Sequence, residues 1–199
     1  MRNLPLVLLF PWLLAACARP VVTQTRGDVG SGLTHDGGLS VSLRTLLITD
    51  TGERSIAESE ALHTGDHVYF LVRTSQPAYL YAVLFGVDGS STTLWPQEPG
   101  SEQKIAANCA LRIPAQGSFY LQTPAGVEDL RVVAAPVPLA QADRRLCEEL
   151  RLPCQKTAAD PTAAPECPQA ARAVFSAVKV ATATARGVAA LRMTLRHEP

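Results

Sequence analysis

The sequence predicts a mainly β protein, a sandwich or barrel of short strands with one or two helices inserted before the last strand. Three observations carry this. From residue 39 to residue 135 short apolar runs recur, divided by Asp88-Gly89, Pro114, Gly117, Pro124 and Gly126. Such spacing suits a stack of strands rather than alternating helix and strand. Past Pro138 the apolar period lengthens to that of a helix, with Leu139, Ala142, Leu146 and Leu150 on one face. Near the end, Leu191, Met193 and Leu195 alternate with Arg192, Thr194 and Arg196, which restores the period of a strand.

The elements follow in order. Leu39, Val41, Leu43 and Leu47 recur at even spacing with Ser40, Ser42 and Arg44 between them, the pattern of a half-buried strand, expected at a sheet edge. A polar stretch leads to Thr64-Gly65-Asp66, which turns the chain into residues 67–74. That run is apolar on both faces, as a central strand is. Residues 78–87 are again apolar on both faces, and Asp88-Gly89 tolerates the positive φ of a hairpin leading into residues 92–95. Shorter strands are expected at 110–113, 118–122 and 129–135.

From Leu139 one amphipathic helix is expected, with Arg144 and Glu148, and Arg145 and Glu149, paired at i,i+4 on its polar face and Pro153 ending it. A Pro, Ala and Thr loop over 156–166 precedes a second, Ala-rich helix over 170–181, with Val174 and Val178 inward. Gly187 then punctuates before the last strand.

The chain begins with a basic Arg2 and an apolar run over residues 4–14, a signal-peptide pattern. Eleven helical residues span only about 16 Å, roughly half of a ~30 Å hydrocarbon core, so this run is too short for a permanent transmembrane helix. Leu14-Ala15-Ala16-Cys17 closes it and resembles a bacterial lipobox. The resemblance implies cleavage before Cys17, acylation of the Cys17 thiol with a diacylglycerol and an N-acyl chain such as palmitate, and an effectively permanent anchor. Ala18, where Asp is absent, implies sorting to the outer membrane in a Gram-negative source. The expected organisation is a leader at 1–16, a Gly, Thr and Ser-rich tether at 17–38, and one domain at 39–199 with a cysteine-bearing helical insert at 139–181. A plain secretory leader ending at Ala16 is the alternative.

Eighteen basic and eighteen acidic residues cancel, and no block of like charge stands out. Nucleic acid is therefore not an expected partner. The remaining cysteines, Cys109, Cys147, Cys154 and Cys167, form an even set in a chain addressed to an oxidising compartment, so two disulfides are expected. Three connectivities are open. Pro153 breaks the helix between Cys147 and Cys154, which keeps that pairing feasible. Closing the loop from Cys154 to Cys167 would remove about 3 kcal/mol of unfolded-state freedom, and this favours Cys154 with Cys167 and Cys109 with Cys147. No Cys-x-x-Cys and no nearby histidine points to a metal or redox site, so neither a metal nor a cofactor is expected.

No nucleophile elbow, zincin motif or phosphate loop is present; Gly27-Asp28-Val29-Gly30-Ser31-Gly32 follows no strand and carries no Lys. His63 and His67 lie four apart, but Gly65-Asp66 between them makes a turn rather than a helical metal pair. Asp88 reads as a turn residue. The candidate binding rim is Trp95, Gln97 and Glu128. Trp95 would offer an aromatic face to a sugar or peptide, though a Trp ending a strand more often plugs a sandwich. Glu128 would either act there or bond a neighbouring turn or strand. Arg172, Lys179, Arg186, Arg192 and Arg196 give the tail a mildly basic face, read as solvated.

Gly65-Asp66, Tyr79-Leu80-Tyr81, Asp88-Gly89, Leu94-Trp95-Pro96, Ile113-Pro114, Gly126-Val127-Glu128 and Ala134-Ala135-Pro136, in this order, carry a resemblance over residues 39–139. The segment resembles the bacterial envelope and signalling module called domain of unknown function family 4384. The resemblance implies an immunoglobulin-like antiparallel β-sandwich, found alone in lipoproteins or appended to kinases and caspase-like peptidases, with no catalytic role of its own assigned. Gln97 stands where such domains often carry Asn, and residues 147–167 lie outside the pattern.

The expectation is thus a lipid-anchored envelope protein, at the outer membrane and facing the periplasm or the cell surface. Its sandwich would be a non-catalytic binding or scaffold module for an envelope protein or glycan. The alternative is an envelope hydrolase whose site assembles from His63, His67, Asp88 and Glu128.

Overall fold

The structure, a computed structural model, describes residues 38–98, 100–153, 179–182 and 187–199, all within the compact unit His35–Pro199. Cys17, the tether, Cys154, Cys167 and residues 170–178 lie outside the described residues. Two six-stranded sheets face each other, as the mainly β reading expects.

The first sheet holds β1 (Ser40–Thr49), β2 (Gly52–Ile56), β4 (His67–Thr74), β8 (Ala110–Ile113), β9 (Phe119–Tyr120) and β11 (Lys179–Thr182). The second holds β3 (Ala61–His63), β5 (Ala78–Phe85), β6 (Ser91–Trp95), β7 (Lys104–Ile105), β10 (Gly126–Ala135) and β12 (Ala189–Glu198). All pairings among these strands are antiparallel except β12 with β3, which is parallel.

Period-two alternation builds the core between the sheets. Val41, Leu43 and Leu47 of β1 and Val68, Phe70 and Val72 of β4 meet Leu80 and Ala82 of β5, Leu130 and Val132 of β10, and Leu191, Met193 and Leu195 of β12. β12 shows the cleanest alternation, buried and exposed at every other residue. β4 and β5 are apolar on both faces because each also packs outward. Tyr69 and Leu71 cluster with Leu46 on the first sheet. On the second, Tyr79, Tyr81 and Val83 lie under the helical segment with Val133, Leu139, Cys147 and Leu150.

Three expectations are corrected. β1 is not an edge strand: it pairs with β4 on one side and with β2 and β11 on the other. The Ala-rich run read as a helix to residue 181 is a strand over Lys179–Thr182, aligned with residues 40–43 of β1. Pairing to an open strand there overrides the helical preference of Ala. The single helix from Leu139 is two, α1 (Leu139–Ala142) and α2 (Arg144–Glu149), divided at Asp143. Asp143 has extended backbone angles, and its side chain accepts the Leu146 N–H at 3.1 Å, so it caps the second helix instead of continuing the first. The two i,i+4 pairs stand as expected, Arg144 to Glu148 at 3.0 Å and Arg145 to Glu149 at 3.1 Å.

Cys109 and Cys147 are both disulfide-bonded. Cys109 belongs to the core between the sheets and Cys147 to the cluster beneath the helices. Among the described residues no helix is long and apolar enough to cross a membrane.

Candidate functional site

The hairpin from β5 to β6 organises two clefts. Gly86 donates its N–H to the Ser90 carbonyl, Asp88 Oδ1 accepts the Ser90 N–H at 2.9 Å, and Gly89 takes φ 76°, where a side chain would be strained. Asp88 is therefore a turn residue, as expected. Further along, Ala82 pairs with Trp95 and Val83 with Thr93, so Leu94 is an extra residue in β6. This β-bulge re-aims the strand. Thr92 and Leu94 face one cleft, while Thr93, Pro96 and Gln97 face the other.

The first cleft, about 170 Å³, lies between the outer face of the second sheet and the helical segment. Among the described residues Tyr81, Gln97, Glu102, Leu139, Cys147 and Leu152 help to line it. One of its polar groups is occupied: the Tyr81 hydroxyl accepts the buried Leu139 N–H at 2.9 Å. Burial pushes the Tyr81 hydroxyl up to about 12, so it stays neutral.

The second cleft, about 330 Å³, opens at one end of the sandwich. β4 supplies Val68 and Phe70, the hairpin supplies Leu84, Val87, Asp88 and Leu94, β9 and its loop supply Phe119 to Pro124, and β10 supplies Glu128. Leu195 comes from β12. Tyr120 and Val87 at the cleft are 52% and 39% exposed, large apolar groups left to solvent. Gly126, just before Glu128, takes φ 158°, and a Cβ there would lie 2.3 Å from Val87 Cγ1. Only glycine lets β10 pass that close to the hairpin.

Glu128 is half-buried in this cleft. Removal from water raises its carboxyl above the ordinary glutamate range, and the imidazole of His197 opposes that in part. His197 is 3% exposed and sits diagonally across the β10 to β12 ladder, where Gly126 aligns with His197 and Glu128 with Leu195. Its Nε2 meets Thr64 Oγ1 at 2.9 Å, and its buried Nδ1 has no hydrogen-bond partner among the described residues.

The expected rim of Trp95, Gln97 and Glu128 is not one surface. Trp95 is half-buried against the core between the sheets, with its Nε1 buried and without a hydrogen-bond partner among the described residues. Gln97 lines the first cleft and Glu128 the second. The Glu128 carboxylate makes no hydrogen bond to a turn or neighbouring strand among the described residues.

Of the four residues of the hydrolytic alternative, Asp88 and Glu128 share the second cleft. His67 touches it indirectly: its Nδ1 lies 2.9 Å from Ser118 Oγ and its ring packs on Tyr120 at 5.1 Å. His63 lies at the end of β3, 4.0 Å from the Asp66 carboxylate. Arg192 and Arg196 project from the exposed side of β12, and Arg192 pairs with Asp129 at 2.8 Å. Among the described residues no group of three His, Cys, Asp or Glu side chains is placed to hold a metal.

Sequence reasoning passed over Phe119 and Tyr120. The only signal for them was two adjacent aromatics in a run flanked by Gly117 and Pro124, too short for a periodicity.

Residues 61–138 match the family model described as a domain of unknown function, DUF4384. The match runs from β3 to the residue before α1, a shorter span than the motifs suggested. It contains every described residue lining the second cleft except Leu195, whereas the first cleft also draws on residues 139–153 beyond it. No curated protein and no solved structure matches the chain.

Proposed function

We propose that this protein is a lipid-anchored component of a bacterial cell envelope whose β-sandwich works by binding, as an accessory or scaffold module for another envelope protein or a glycan. The observation that carries the binding reading is the end cleft, where exposed Tyr120 and Val87 flank an apolar hollow with a half-buried acid. Soluble domains seldom leave large apolar groups around a concavity without an occupant. The anchor rests on Leu14-Ala15-Ala16-Cys17 and on the short apolar run before it. Together they give a tethered module at a bilayer, with Cys17 as the attachment point and the outer membrane as its destination.

Two measurements test this reading. Intact mass of the purified protein should report loss of residues 1–16 and gain of acyl chains at Cys17; a product with its original methionine and no lipid would remove the anchor. Envelope extract passed over the intact protein should leave a component that Tyr120→Ala fails to hold. Retention of nothing above background would remove the binding role.

An envelope hydrolase is the second reading, favoured by Asp88 and Glu128 sharing the cleft. Paired acids suit acid and base roles only if both reach the same bond. Release of soluble fragments from envelope polymers, abolished by Glu128→Gln, would support it over the binding role.

A further inference from the structure

The lining of the end cleft specifies more than an apolar fit. Among the described residues it contains no Lys or Arg, while Glu128 lies on its wall and Asp88 in the hairpin beside it. Asp88 is held by the Ser90 N–H and is fully open to water, so its charge is present without cost to the fold. Glu128 differs. No described residue hydrogen-bonds or ion-pairs with its carboxylate, the cleft it lines is walled by apolar groups including Phe70, Phe119 and Leu195, and the His197 imidazole opposes the effect of its burial in part. A half-buried carboxylate without a bonded cation is a cost that a ligand's cation would offset.

A cleft of about 330 Å³ is at the small end of ligand sites, roughly 300 to 1,000 Å³, enough for one long side chain and part of its neighbours. Exposed apolar surface at Tyr120, in β9, and Val87, in the hairpin, is more than a bare amine would cover. A chain crossing the cleft would bury both.

We propose that the end cleft binds a Lys or Arg side chain presented by an apolar segment of a partner protein. The alkyl stem lies along Phe119, Tyr120 and Val87, the cation meets Glu128, and Asp88 adds attraction from the hairpin. This rests on the reading of the domain as a binding module and names what it binds.

The test uses the intact protein and four fluorescent peptides, Leu-Val-Lys-Val-Leu and its Arg, Gln and Glu forms, followed by anisotropy. The Lys and Arg peptides should bind about tenfold tighter than the Gln form, the span expected for one charge-assisted hydrogen bond, and the Glu form weakest. Glu128→Gln should erase that preference while residual apolar binding persists, and Asp88→Asn should reduce it by about twofold, as a water-exposed charge does. Thermal unfolding of Glu128→Gln should show a folded protein, since the substitution removes a half-buried charge.

Equal binding of the Gln and Lys peptides, or a preference that survives Glu128→Gln, overturns the inference. So does spermidine displacing the Lys peptide as effectively as unlabelled peptide, which would make the site one for small amines. If no peptide binds yet envelope extract still yields a component dependent on Tyr120, this inference fails alone. If both fail, the binding reading falls with it.

Discussion

The two clefts on either side of the β6 bulge are built from similar materials and end in opposite states. In the cleft beneath the helices, a sheet face of tyrosines meets Leu139 and Leu152, and the central hydroxyl is spent on a backbone N–H of the same chain. In the cleft at the sandwich end, phenylalanines and leucines share the lining with a carboxylate that no described residue bonds. The first joins the helical segment to the sheet and spends its tyrosine there, although Glu102 also lines it and about 170 Å³ stays open. The second is, on the proposed reading, the one that takes a ligand. A polar group in an apolar wall can be spent on the fold or kept for a ligand, and hydrogen bonding tells which.

If that contrast is right, damage to the first cleft should unfold the protein, and damage to the second should leave it folded and unable to bind. The largest effect is expected from Leu139→Ala. Leu139 is fully buried under the second sheet, and its loss should cost about 2–5 kcal/mol in urea unfolding without changing the peptide preference at 25 °C. A changed preference in the folded variant would merge the two clefts into one functional unit.

Tyr81→Phe comes next. It orphans the buried Leu139 N–H and should cost about 1–3 kcal/mol. It also removes an alkaline transition. Because burial raises the Tyr81 hydroxyl from 10.0 to about 12, the folded state holds that proton more tightly than the unfolded chain. The stability this contributes is complete below pH 10 and is lost as pH rises toward 12. The difference between wild type and Tyr81→Phe should therefore shrink across that window. A constant difference would place the hydroxyl outside the apolar cluster.

Gly126→Ala sharpens the contrast from the other side. A Cβ at φ 158° and 2.3 Å from Val87 forces the hairpin away from β10, at a cost of about 1–3 kcal/mol. It should weaken peptide binding as well, because Val87 forms the cleft. Unaltered binding would mean that Val87 has no part in it.

The smallest change in stability, and the most diagnostic, is that of Glu128→Gln. With its folded carboxyl raised, Glu128 favours the fold in its protonated form, and that contribution is lost as pH rises through the folded value. At neutral pH the ionised side chain is a burden, so the variant should melt at or slightly above the wild type. The gap should close as pH falls below the ordinary glutamate range. A lower melting temperature at pH 7 would mean that Glu128 is structural and that the two clefts are alike.

Much of the architecture was readable in advance. β4, β5, β8, β10 and β12 announce themselves by alternation or by apolar runs between turn residues, and the hairpin by Asp88-Gly89. β2, β3 and β7 escaped notice because five, three and two residues are too few to show a period. β11 was misread because its sequence is helix-tolerant and only its pairing with β1 makes it a strand. At the site, Glu128 was singled out by its place before a strand. The hydrolytic alternative grouped it with Asp88, but that it would share a cleft with Tyr120 and not with Gln97 was invisible.

What the residues determined alone are the things set by near neighbours: two-residue and helical periods, turns needing Gly or Pro, the short apolar run before Cys17, and balanced charge. Partnership across the molecule was decided only by the folded chain. Gln97 and Glu128 end in different clefts, and the register of β12 on β10 brings Leu195 and His197 beside that acid. Register is a property of two distant segments held together, and one segment read by itself does not contain it.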